Sequence, residues 1–147
     1  MGQSRIRPIA ICLFRKGHAI LVDQHRDSVK GDKFCRPLGG GIEYGETSEE
    51  AMIREIREET GESIADLELL CVLENIFTGE GALGHEIVFV YDARFRNDLI
   101  QESQTIQGCE GDEHFTAEWK TLDQMREENL RLVPEGLVAL LVKEGQG

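Results

Sequence analysis

Apolar residues fall along this chain in short runs separated by glycine-rich or charged segments, and the period of the runs changes from strand to helix and back. Arg5 to Phe14 (RIRPIAICLF) is β-rich and closes on Lys16-Gly17, which reads as a turn. Ala19 to Gln24 returns as a second strand, giving a hairpin. Asp27 to Lys33 is a polar loop containing Gly31, and Phe34 to Leu38 is a short extended piece. Gly39, Gly40 and Gly41 follow, a stretch whose backbone can take positive φ and approach a ligand closely.

A helix comes next, with both ends written into the sequence. Thr47 and Glu50 form an S/T-x-x-E capping box, and Gly61 stands where a C′ glycine stops a helix. Ala51, Met52 and Ile56 supply its apolar side. Leu67 to Phe77 is one strand, or two strands meeting at a kink. Thr78 to Gly84 holds three glycines and reads as a turn. Glu86 to Phe95 is the clearest strand, and its run from Ile87 to Tyr91 places it centrally, buried on both faces. Arg96 to Asp112 is a polar loop, His114 to Thr121 a last strand, and Leu122 to Met125 the start of a short helix. Pro134 sits at a helix start leading into Glu135 to Val142. This order predicts an α/β protein with a mixed sheet covered by helices on both faces.

The length of 147 residues fits a single domain spanning 1–147, and 40% hydrophobic residues suit a compact core. No apolar run reaches membrane-spanning length, and no basic-then-apolar leader opens the chain, so no membrane partner and a cytoplasmic location are expected. A net charge of −12 argues against nucleic-acid backbones as partners, which need a basic footprint. It leaves nucleotide substrates open, because a bound metal inverts the local field. Cys12, Cys35, Cys71 and Cys109 form no C-x-x-C pair and are expected to be buried, reduced thiols.

Chemistry concentrates on the helix. Glu55, Glu58 and Glu59 stand at i, i+3 and i+4, which puts three carboxylates on one face. Like charges at this spacing repel by about 0.2–0.5 kcal/mol per pair, so such a face usually has a cation to hold. Hard oxygen ligands point to Mg²⁺, with Mn²⁺ as substitute, and Mg²⁺ commonly binds through few carboxylates plus substrate phosphates.

The stretch GGIEYGETSEEAMIREIREETG closely resembles the signature of the Nudix hydrolases, the MutT-type pyrophosphohydrolases, G-x5-E-x7-R-E-U-x-E-E-x-G-U with U a bulky aliphatic. Gly40, Glu46, Arg54, Glu55, Ile56, Glu58, Glu59 and Gly61 match; Glu62 departs from the final U. The resemblance implies an α/β/α sandwich with the motif as loop–helix–loop. It implies Glu58 and Glu59 as the firmest metal ligands, and Glu55 as ligand or general base. Arg54 orients a motif glutamate, with an exposed pairing to Glu58 as the plainer alternative, and Glu46 closes the loop–helix–loop. A further carboxylate is expected shortly before Glu118-Trp119. Glu113, Glu110 and Asp112 are candidates, with Glu113 favoured by its distance from the tryptophan.

The run Arg36-Pro37-Leu38-Gly39-Gly40 exchanges the proline and leucine seen in many members, and it sets Arg36 just upstream of the glycine stretch. Arg36, Gly40, Gly41 and Phe77 are candidate substrate contacts. Phe77, Tyr91, Phe34 and Trp119 are the aromatic rings available for stacking on a base, each as readily a core residue. His25 and His114 read as surface residues, and His85 as a strand-entry residue. Markers of the ADP-ribose, diadenosine polyphosphate, coenzyme A and NADH subtypes are absent. The expected reaction is therefore hydrolysis of a nucleoside diphosphate linked to a moiety X, including nucleoside triphosphates. A catalytically silent Nudix-fold binding module is the alternative, and a homodimer is left open.

Overall fold

The computed structural model describes residues 4–144. Its elements are β1 (Arg7–Lys16), β2 (Ala19–Arg26), β3 (Lys33–Arg36), β4 (Leu38–Gly41), α1 (Ser48–Thr60), β5 (Ile64–Gly79), β6 (Ala82–Phe95), α2 (Asp98–Gln101), β7 (Thr105–Glu110), β8 (Glu113–Lys120), α3 (Leu122–Glu127), β9 (Leu130–Leu132) and α4 (Gly136–Lys143). The strands run β5-β6-β1-β2-β3-β9, with β4 branching from β1 and the β7–β8 hairpin joining through β2. β1 lies parallel to β6 and β3 parallel to β9, while the other pairs are antiparallel, so the sheet is mixed.

β1 shows how the two-residue period builds two cores. Ala10, Cys12 and Phe14 face the layer beneath α1, packing with Met52, Ile56 and Phe95. Ile11 and Leu13 point the opposite way, into a second core with Met125, Leu137 and Leu141 from α3 and α4. Both faces of β1 are therefore covered. Covering is less complete on β6, where Val88 and Val90 are buried but Ile87 and Phe89 are half-exposed. The expectation of a fully two-sided burial belongs more to β1 than to Ile87 to Tyr91.

Three segments differ from the sequence expectation. The polar stretch 96–112 contains α2 and the whole of β7, which pairs with β8 around a turn at Gly111. Only Ile106 of β7 is buried, so its apolar signal is faint. The short strand β9 is likewise inconspicuous, three residues parallel to β3. The β5–β6 turn is tighter than 78–84. It consists of Glu80 and Gly81, both at positive φ (50° and 78°), the backbone a two-residue hairpin requires. β5 is one strand, interrupted by register shifts between Ala65 and Glu68 and between Leu69 and Cys71. It lies at the end of the main strand order, which leaves Cys71 half-exposed, as is Cys109; Cys12 and Cys35 are buried, and all four thiols are free.

Candidate active site

α1 begins and ends as its sequence requires. The Thr47 hydroxyl accepts from Glu50 N–H (3.1 Å), and the Glu50 carboxylate accepts from Thr47 N–H (2.9 Å). Gly61 takes the left-handed conformation at φ 78°. Ala51, Met52 and Ile56 anchor the helix to the core, and the same rotation carries Glu59 to the buried side.

Arg54 gathers the motif. Its Nε and Nη2 donate to the two Glu46 oxygens at 2.7 and 2.9 Å, a two-pronged pairing. Nη1 reaches Glu55 and Glu58, each at 3.0 Å, and Nη2 also donates to the Gly41 carbonyl at 2.9 Å. Pairing to Glu58 and bracing of the loop thus occur together. Arg54, followed by the N–H of Glu43, pulls the Glu46 carboxyl down to about 2.

Glu59 has the opposite environment. It is only 7% exposed, and among the described residues its Oε1 has no hydrogen-bond partner. Burial first, then the charges of Glu55 and Glu110, push its pKa up to about 8, against Arg36 and the Gly39 N–H, which favour the ionised form. Glu55 is also raised, by burial above all. A buried carboxylate oxygen facing a second carboxylate is costly unless a cation or proton compensates it. This fits a divalent cation held by oxygen donors. Among the described residues no three such side chains converge as a closed cage, because Arg54 engages Glu55 and Glu58.

The glycine stretch serves packing. Gly39, Gly40 and Gly41 lie in β4, paired to Ile11, Ala10 and Ile9. A Cβ on Gly40 would stand 2.5 Å from the Glu55 carboxyl carbon, and one on Gly39 only 2.1 Å from the Ala10 carbonyl oxygen. The glycines admit Glu55 and a neighbouring strand, where the sequence suggested a ligand.

Glu113 and Glu110, two of the candidates for the further carboxylate, face each other across the β7–β8 hairpin. Glu113 is the exposed first residue of β8, whereas Glu110 acts electrostatically on both Glu55 and Glu59. The reason lies in β7, missed in the sequence. This strand packs on α1, with Cys109 Sγ 3.9 Å from the Glu58 carbonyl oxygen.

Arg36 and Phe77 do meet. They line one cavity of about 270 Å³ with Phe34, Ile9, Ile11 and Arg131. Arg36 faces the field of Glu59 and makes no hydrogen bond or ion pair among the described residues. Of the other rings, Tyr91 is buried and hydrogen-bonded to Ser48 (2.6 Å), while Trp119 donates to the Ser103 carbonyl (2.9 Å) beneath Lys16. His25 is no plain surface residue: it stacks on Phe34 at 5.3 Å and pairs with Asp23 at 3.0 Å.

Sequence reasoning missed Asp27. Its buried carboxylate accepts from the N–H groups of Val29, Lys30 and Glu80, tying loop 27–32 to the β5–β6 turn at the cavity rim. The D-x-x-x-G spacing to Gly31 was the available signal.

A mixed sheet carrying a capped glutamate helix braced by one arginine defines a class of domain. The chain belongs to the NUDIX domain family, whose model matches residues 4–141. Members of this family generally use divalent cations and act on the pyrophosphate bonds of small nucleotides.

The chain is 33% identical over 136 residues to the NAD-capped RNA hydrolase NudC of Haemophilus influenzae (strain PittGG), covering 91% of this chain and 45% of that protein. It thus spans about half the length of that relative. A MutT NUDIX hydrolase structure from Burkholderia pseudomallei is 28% identical with a TM-score of 0.61, over 82% of this chain and 87% of the other. The MutT protein from Bacillus halodurans shares the fold at a TM-score of 0.58 and 20% identity, over 90% and 78% of the two chains.

Proposed function

We propose that the protein is a Mg²⁺-dependent pyrophosphohydrolase, with Mn²⁺ as substitute, acting in the cytoplasm as one domain over 1–147. It cleaves a nucleoside diphosphate linked to X into a nucleoside monophosphate and phosphate-X. The observation that carries this reading is Glu59, buried beside Glu55 with an unpartnered oxygen and facing Arg36 at the edge of an aromatic-lined cavity.

In this reading Glu55, Glu58 and Glu59 hold the cation, with Glu110 rather than Glu113 as the further carboxylate. When bound, the cation neutralises diphosphate charge and lowers the pKa of an attacking water. Arg54 fixes the loop through Glu46 and Gly41 and orients Glu55. Glu59 would hold the cation as a carboxylate, the form that the charge of Arg36 and the Gly39 N–H favour. Arg36 offers an unengaged guanidinium to a substrate phosphate, and Phe34 and Phe77 offer ring faces to a base.

The name of the NudC relative favours a dinucleotide as a second reading of the substrate. Incubation with a nucleotide panel and Mg²⁺ tests the proposal, the nucleoside monophosphate and phosphate-X being separated and read by chromatography. Turnover abolished by chelation and restored by Mg²⁺ is expected. Hydrolysis persisting in excess chelator overturns the metal dependence, and nucleotide binding without any turnover favours a silent module.

A further inference from the structure

Beside the cavity of Arg36 lies a second, more open one, of about 510 Å³, between the start of β1 and the start of β6. Arg5, Arg7, Gly84 and His85 line it, and Phe77 and Glu86 form the wall toward its neighbour. The Phe77 ring lies directly over Gly84, its cross-strand partner: a Cβ there would stand 2.4 Å from the ring's Cζ. Phe77 and Glu86 border both cavities, so the two are adjoining compartments.

The charges in this compartment run against the rest of the molecule. On a chain of net charge −12, two guanidinium groups face a single carboxylate. Arg5 has no hydrogen bond or ion pair among the described residues. Arg7 is exposed, and its one ion pair among the described residues, to Glu86, is long at 3.7 Å. Unengaged arginine forks match phosphate oxygens in both charge and geometry. Arg7 also touches the motif: its Nη2 lies 3.5 Å from where a Cβ on Gly41 would stand, and the Gly41 carbonyl is held by Arg54.

We propose that this compartment binds a phosphate of the substrate that lies outside the scissile diphosphate. The inference rests on the pyrophosphohydrolase reading and narrows its substrate class to nucleotides with an additional phosphate ester. That ester is either on the sugar or in a following phosphodiester.

Inorganic tripolyphosphate, titrated calorimetrically into metal-stripped protein at low salt, reads the compartment without the metal site. Wild type should bind, and R5Q/R7Q should weaken binding by about tenfold or more, the loss expected for charged hydrogen bonds. R126Q, at an exposed arginine paired to Asp123 on α3 and lining neither cavity, should leave it nearly unchanged. No binding by wild type, or an equal loss in R126Q, overturns the proposal.

With Mg²⁺, three substrates are compared: a plain dinucleotide pyrophosphate, one with a 2′-phosphate, and one with a short 3′ oligonucleotide tail. R5Q/R7Q should raise KM for one or both phosphate-bearing substrates and leave the plain one unchanged. The substrate affected identifies the source of the phosphate, and equal effects on all three overturn the assignment. Wild type inactive on all three substrates fails the activity reading itself, whereas activity on the plain dinucleotide alone fails the substrate assignment and leaves the activity reading standing.

Discussion

At Glu59 a carboxylate with an unpartnered oxygen is buried beside a second acid, and Gln is close to it in shape. Glu59→Gln should lower turnover by about 10²-fold or more, since a bound cation stabilises the transition state by several kcal/mol. Melting without metal should be unchanged or higher above pH 8, where Glu59 would otherwise be charged. Near-normal turnover would remove Glu59 from the ligand set. A second comparison concerns the hairpin acids. Glu110→Gln should cost about tenfold or more in turnover, as do groups that tune a metal site, and Glu113→Gln should cost little. Steady-state rates across a metal titration decide between them. The motif glutamates could be singled out from spacing alone, because helical periodicity fixes which side chains share a face. Glu110 could not, because its position depends on a strand pairing whose only buried residue is Ile106.

Among the elements, α1 owes its entry to the reciprocal bonds of Thr47 and Glu50. Thr47→Ala should destabilise the protein by about 0.5–2 kcal/mol in denaturant titrations, the usual cost of an N-cap. A normal midpoint in that variant would mean that tertiary packing alone holds the first turn. The helix was legible because cap, apolar side and stop signal agree over thirteen residues. The β5–β6 hairpin was legible as two strands, but its turn was placed too broadly. Gly79 and Gly84 resemble turn residues in sequence, yet they sit in the strands, where both lie against the Phe77 ring. β9 escaped notice because a three-residue strand carries no periodicity.

For the whole molecule, pH separates two opposing groups. Glu46 is held at about 2, below its ordinary 4.5, so its stabilising pairing is present above that value and is lost as the medium is acidified toward 2. Glu59 is raised to about 8, so the folded state loses relative stability as pH climbs from 4.5 toward 8. Growing self-repulsion on a chain of net charge −12 acts in the same direction. Metal-free protein should therefore melt at a higher temperature at pH 5 than at pH 8, and Mg²⁺ should recover the difference at pH 8. Melting curves at the two values, with and without the cation, check this; a metal-free midpoint higher at pH 8 would contradict it. The layered α/β architecture was legible from the order of elements, whereas the branching of β4 and β8 from the main strand order depends on contacts distant in sequence. The cavity of Arg36 draws one wall from Ile9 and Ile11 and another from Arg131, Val133 and Pro134. A ribosome makes the first of these walls well before the second. A nascent chain halted before residue 130 would carry its glutamate helix beside a half-built chamber. The chamber would thus stay incomplete until residues 131–135 had joined it, a consequence of connectivity alone.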